Sequence, residues 1–281
     1  MKRKTFYLLA AILTISFVFV SCDSDDSNWD IVPTEVRSAF SEKYPSAQRV
    51  EWENKGDYKV ADFINNNLET SAWFDSKGVW YMTETDIPYG SLPQAVKDSF
   101  EGSEYSTWKI DDVDMLERKD SETIYIIEVE LQNQEIDLYY SVEGILIKTI
   151  ADNDNNSYEN YLSQSTPADI ESFINEKYPQ ARIIEIEYEN SRIEVDIIHD
   201  NLGKEVIFDL NNQWLYTSWD IRVSALPQVV ANIVNSAQYS GYYIDDAEFV
   251  ETSQGSYYLL ELEKGNSEIT IKVTEDGNVI N

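Results

Sequence analysis

An α+β fold is expected, made of four repeated helix-plus-antiparallel-strand units grouped as two modules. Three observations predict it. Prolines at 33, 93, 167 and 227 each open an apolar stripe at helical spacing. Each stripe is followed by segments in which apolar and polar residues alternate. The second half of the chain also echoes the first at an offset of 134 residues. Repeats of this kind mark units that bury a face against their neighbours.

The helices come first. Three residues after the prolines stand Val36, Val96, Ile170 and Val230, and seven after stand Phe40, Phe100, Ile174 and Val234. Proline at a helix start, followed by one apolar stripe, reads as a helix with one buried face. Pro45 and Pro179 end two of these helices. The strands follow in period two, as in Ile184, Ile186 and Tyr188, Ile136, Leu138 and Tyr140, and Ile269, Ile271 and Val273. Such alternation marks half-buried antiparallel strands. Lys55-Gly56-Asp57, Ser76-Lys77-Gly78, Glu143-Gly144, Asn211-Asn212 and Asp276-Gly277 supply turns between them. The offset of 134 joins Glu42-Lys43-Tyr44-Pro45 to Glu176-Lys177-Tyr178-Pro179. It also joins Phe74-Asp75 to Phe208-Asp209, Trp80 to Trp214, and Ile110-Asp111-Asp112 to Ile244-Asp245-Asp246.

Before the repeats lies an export signal. Met1-Lys2-Arg3-Lys4 is positively charged, and an apolar run from Phe6 to Val20 follows, broken only by Thr14 and Ser16. At about 1.5 Å per residue it spans roughly 22 Å, short of the roughly 30 Å hydrocarbon core. A cleaved signal therefore fits better than a membrane span. The run ends in Phe19-Val20-Ser21-Cys22, which resembles a lipobox with Phe where Leu is usual. Cys22, the single cysteine, is the expected lipidation site; the alternative is a secretory signal with an incidental cysteine. Asp23-Ser24-Asp25-Asp26-Ser27-Asn28 resembles the acidic surface-export signal of lipoproteins in one Gram-negative phylum. The expected organisation is a signal at 1–21, an acidic tether at 22–30, a first module at 31–150, a linker at 151–165 and a second module at 166–281. The expected address is the cell envelope, lipid-anchored to the outer membrane and exposed at the surface.

Charge restricts the partners. Removing Lys2, Arg3 and Lys4 with the signal leaves 18 basic residues against 52 acidic ones, a formal charge of −34. Nucleic acid and anionic lipid are disfavoured, because both are bound through Lys and Arg. Cationic surfaces are attracted. Contact with a membrane is expected only through the lipid.

No catalytic constellation emerges. Cys22 is expected to carry lipid and His199 is the only histidine, which excludes a Cys-His arrangement and any zinc site needing two His or Cys ligands and leaves His199 as the one base for a Ser-His-Asp arrangement. His199 reads as a turn residue. No carboxylate pair is singled out, and Asp111-Asp112 with Asp245-Asp246 read as an inherited turn or strand-edge feature. Asp152 to Asn156 opens like a calcium loop, but Ser157 and Ser163 stand where Gly and Glu are needed. No cofactor and no dedicated metal site are expected, beyond weak calcium binding by so acidic a chain.

A recognition surface is sought on the sheet face turned away from the helices. Trp52, Phe74 and Trp80, with Ile186, Phe208 and Trp214, are assigned to the helix side. Trp73, Tyr81 and Tyr139 have the opposite parity, and Glu51, Glu53, Glu128, Glu130 and Asp137 share it. These eight residues form the candidate binding face, with surface aromatics or contacts between modules as the plainer alternative.

The helix, Glu-Lys-Tyr-Pro, strand, Phe-Asp, turn, Trp order resembles the PepSY-like family, also described as beta-lactamase-inhibitor-like. The resemblance implies helices on one side of antiparallel strands, an exported location and a non-catalytic binding or inhibitory role. A protein partner, with basic proteins favoured by charge, is the first expectation. A surface glycan and a purely structural envelope spacer are the alternatives.

Overall fold

A proline before each helix presets the turn into it. In the computed structural model, which describes residues 32–132, 134–151, 165–189, 191–265 and 267–280, helices α1 (Thr34–Lys43), α2 (Gln94–Glu101), α3 (Ala168–Lys177) and α4 (Gln228–Ala231) all follow such a proline. The proline stands one position earlier than expected, at the N-cap, with extended backbone. Its carbonyl accepts the first helical bond, as from Arg37 to Pro33 at 3.0 Å. The export signal, Cys22, the tether and all but the ends of the 151–165 linker lie outside the described residues. No helix among the described residues is long and apolar enough to cross a membrane.

The stripes are buried as their spacing requires: Val36 and Phe40 on α1, Val96 and Phe100 on α2, Ile170 and Ile174 on α3. The fourth helix falls short. It lasts four residues and passes into a 3-10 turn at Asn232–Asn235, so Val234 is only half-buried. Two asparagines and the β-branched Val229, Val230, Ile233 and Val234 make this stretch a poor helix former.

Four strands follow each helix. They are β1 (Gln48–Lys55), β2 (Tyr58–Asn65), β3 (Leu68–Phe74) and β4 (Trp80–Asp86); then β5 (Lys109–Arg118), β6 (Ile124–Leu131), β7 (Gln134–Ser141) and β8 (Leu146–Ala151). The second half has β9 (Arg182–Glu189), β10 (Arg192–His199), β11 (Leu202–Asp209), β12 (Trp214–Asp220), β13 (Tyr243–Thr252), β14 (Gly255–Lys264), β15 (Ser267–Val273) and β16 (Val279–Ile280). The chain is thus mostly β. Two eight-stranded antiparallel sheets, β1–β8 and β9–β16, each run in simple sequence order.

One face of each sheet carries two helices. Under α1, Phe40 meets Tyr44, Trp52, Phe63 and Phe74 at centroid distances of 5.0–6.3 Å. The Glu-Lys-Tyr-Pro motif is part of this packing. Lys43 lies 3.8 Å over the Trp80 ring, and Lys177 lies 4.4 Å over that of Trp214. Tyr44 reaches the Thr83 hydroxyl, to which Trp80 also donates at 2.8 Å. Trp214 donates to Thr217 in the same way at 3.0 Å, while Tyr178 turns to Glu251 at 2.7 Å. The shared motif therefore ties a helix end to its sheet.

The turns between third and fourth strands press on the helix starts. A Cβ on Gly78 would stand 2.6 Å from the Glu35 carbonyl oxygen, and one on Gly144 would stand 2.2 Å from that of Ala95. Both glycines have φ near +80°, a conformation a side chain disfavours in any case. At α3 Asn212 takes this role, donating to the Asp169 carboxylate at 2.9 Å, and at α4 Gly277 does, where a Cβ would stand 2.9 Å from the Val229 carbonyl oxygen.

Candidate binding faces and the junction between the sheets

The face of the first sheet opposite its helices is divided in two. Register places Val60, Trp73, Met82, Leu116, Ile124, Ile126 and Tyr139 on one part of it. These residues pack with Ile147 and with Ile184 and Ile198 of the second sheet. In the other direction β8, the edge of the first sheet, lies across β10 and β11. A Cβ on Gly203 would come within 2.4 Å of the Ile147 carbonyl oxygen, so that crossing has room only for glycine. Each sheet thus lays one edge strand against the other. This removes two edges from solvent, where unpaired strands invite aggregation.

An ion network fills the polar part of the contact. Arg118 donates to Glu185 Oε1 at 2.6 Å and to the Ile184 carbonyl at 3.2 Å. Lys148 Nζ reaches Glu185 at 2.8 Å, Glu187 at 2.9 Å and Asp196 at 2.9 Å. Burial alone would lower the Lys148 pKa, but Asp196, Glu185 and Glu187 outweigh it and hold the ammonium well above its usual value. Asp196 and Glu187 are themselves raised, by burial first. Lys148 opposes that rise at both carboxylates, and their repulsion from Glu185 adds to it.

The placement of the predicted face follows. Trp73 and Tyr139 lie on the side away from the helices, but each is 1% exposed and sealed in the junction. They are not available to a partner, a correction that stems from the second sheet's edge covering them. Tyr81, the extra residue of a bulge between β3 and β4, is half-buried against the same core and meets Tyr58 edge-on at 5.2 Å. Glu51 and Glu53 are exposed, Glu128 and Glu130 are half-buried, and Asp137 is buried. The aromatics assigned to the helix side do pack there. His199 is the last residue of β10, with its ring 5.3 Å from that of Tyr178. It borders a polar cleft of about 430 Å³ shared with Glu143, Pro179 and Arg182.

The remaining part of the first sheet's open face is acidic. Asp62, Glu84, Asp86, Asp112 and Asp114 stand side by side on β2, β4 and β5, with Glu128 and Asp137 beyond. Burial pushes Asp114 up to about 8, helped by repulsion from Glu84, Asp112, Asp86 and Glu128. Asp86 is raised by burial and by repulsion from Asp112 and Glu69, and Glu84 by burial, which Lys55 opposes and Asp112 and Asp62 reinforce. Glu84, Asp86 and Asp114 are not among the residues the sequence singles out, although they alternate with Thr83, Thr85 and Val113. The Asp-Asp pairs prove to be bulges, between Ile110 and Asp112 and between Ile244 and Asp246.

The second sheet's open face is acidic as well. Glu194, Asp196 and Glu205 each bring a carboxylate oxygen within 4.8 Å of the others. Burial and mutual repulsion push Glu194 up to about 7 and Glu205 up to about 8, and Asp220 reaches about 6.

A family model described as putative beta-lactamase-inhibitor-like, PepSY-like matches residues 57–148, 156–202 and 197–281. The chain belongs to the PepSY-like family. Among solved structures, this PepSY-like chain is similar to a BLIP-like protein from Bacteroides fragilis. That pair is 35% identical over 45% of this chain and 92% of the other, with a TM-score of 0.43. A DUF2874 family protein from Bacteroides ovatus is 33% identical over 43% of this chain and 87% of its own, with a TM-score of 0.41. No curated protein matches the chain.

Proposed function

We propose that this PepSY-like protein is an exported, lipid-anchored and non-catalytic module that captures a basic protein segment on the acidic part of its first sheet. One observation carries this reading. Glu84 and Asp114 are half-buried beside the half-buried Asp62 and the exposed Asp86 and Asp112, where mutual repulsion adds to burial and Lys55 offsets it only in part at Glu84. Carboxylates held together at such cost fit a partner that brings positive charge. Glu51, Glu53, Glu128 and Glu130 would form the rim, and Asp137 the floor. The family description agrees with a binding role. We further propose that the four helix-and-strand units descend from one ancestral unit.

The probe is a labelled lysine- and arginine-rich peptide, titrated at low and moderate salt. Glu84→Gln with Asp114→Asn should weaken binding at least about tenfold, a loss of about 1.4 kcal/mol. Glu35→Gln with Glu42→Gln, on the helix side, should leave it near wild type. Equal losses in both variants would mean diffuse attraction to an acidic surface and would sink the reading. Glycan capture is less well supported, since the stacking candidates Trp73 and Tyr139 are buried.

The anchor is a separate matter. Cys22→Ala should release the mature protein from membranes or leave a precursor of larger size. A mature-sized product that still partitions into detergent would refute lipidation.

A further inference from the structure

We infer that Glu194, Asp196 and Glu205, on the open face of the second sheet, form a site for a hard divalent cation of the calcium type. The inference is independent of capture on the first sheet.

The three side chains converge through sheet register. Glu194 and Asp196 are two apart on β10 and so point to one face, and Glu205 is the cross-strand partner of Asp196 on β11. One oxygen from each lies within 4.8 Å of the other two. Calcium holds oxygen ligands at about 2.4 Å, so ligands on opposite sides of one ion stand up to about 4.8 Å apart. The three carboxylates can therefore meet one ion with little movement.

Proximity of acids alone would say nothing. The second observation is Asp196 itself, which is 2% exposed. Lys148 takes its Oδ2 at 2.9 Å, and its buried Oδ1 has no hydrogen-bond partner. An orphaned carboxylate oxygen in the interior costs free energy unless a cation or donor meets it. Glu205 is half-buried, no salt bridge to it is found among the described residues, and Glu194, Asp196, Glu248 and Asp220 all repel it. Arg192 touches Glu194 only at 3.4 Å. Lys148 and Arg118 are engaged by Glu185, Glu187 and Asp196 Oδ2. Asp196 Oδ1 is left for another partner. All donors are carboxylates, which suit a hard cation, and half-sheltered Glu194 and Glu205 leave room for waters to complete the shell.

The test uses the chain from Asp23 onward, stripped with chelator and titrated with calcium chloride by calorimetry and thermal melting. One calcium per chain is expected. At a hundredfold excess over the dissociation constant the melting temperature should rise by roughly 5–10 °C. Glu205→Gln and Glu194→Gln keep shape and remove one ligand charge each. Both should weaken binding at least about tenfold while raising the melting temperature of the calcium-free protein. Asp114→Asn, on the other sheet, should bind as wild type. No response of the wild type to millimolar calcium would overturn the proposal. So would undiminished binding in both glutamine variants, or loss of binding in Asp114→Asn.

Discussion

Lys148→Ala should lower the free energy of unfolding by about 3–5 kcal/mol, the range found when one partner of a buried ion cluster is removed. The side chain is 6% exposed, and its ammonium serves three carboxylates that come from two strands of the other sheet. Without it Glu185 keeps Arg118, but Asp196 and Glu187 lose a strong partner in a site that already holds more negative than positive charge. The variant should also loosen the packing of Trp73, Tyr139, Ile184 and Ile198, since the network borders that core. The reading is the urea midpoint, with tryptophan emission as a second probe of Trp73. Adding Glu187→Gln to Lys148→Ala should restore roughly 1 kcal/mol, because coupled charges are not additive. A single variant within about 0.5 kcal/mol of wild type would show that the network contributes nothing to the junction.

That junction explains what could and could not be read from the chain. The helices were legible because a proline and an apolar stripe are local signals, and Phe40 and Ile174 lie where the stripe puts them. The Glu-Lys-Tyr-Pro motif was legible as a repeat, yet its role in tying Tyr44 and Lys43 to Thr83 and Trp80 depends on a strand about forty residues away. Strand parity assigned Trp73 and Tyr139 to the right face. It could not tell that the edge of a second sheet would cover them. A signal was present nonetheless. Ala72-Trp73-Phe74, Ile126-Ile127, Tyr139-Tyr140 and Ile197-Ile198 interrupt the alternation with adjacent apolar residues, which marks strands buried on both faces. The carboxylate triad was hidden for another reason. Glu194 and Asp196 are close in sequence, but Glu205 joins them only through the register of β10 with β11, which no linear spacing rule encodes.

Stability should fall, not rise, as pH increases from about 5 to about 8.5 in the presence of chelator. The usual carboxylate in a folded protein is paired and has a lowered pKa, which makes acid the destabilising direction. Here Asp114 and Glu205 are raised to about 8, Glu194 to about 7 and Asp220 to about 6, with burial as the leading cause in each. In the unfolded chain the same groups lose their protons near pH 4. Between these values the folded state holds more protons than the unfolded state, so unfolding releases protons and becomes easier as pH rises. The stabilising contribution is fully present below about pH 4 and is lost as pH passes through 6, 7 and 8 in turn. Glu143 works in the opposite sense. Its bond with Arg182 lowers its pKa to about 2, so that contribution is lost as pH falls below the ordinary carboxylate range. The stability maximum should therefore lie near pH 5. Asp114→Asn, which cannot ionise, should gain on the order of 2 kcal/mol over wild type at pH 8.5 and little at pH 5, an amount discounted for the partial exposure of the site. Urea midpoints of both proteins across this range decide the matter. A wild type more stable at pH 8.5 than at pH 5, or an Asp114→Asn gain that does not grow with pH, would show that the open-face carboxylates ionise without penalty.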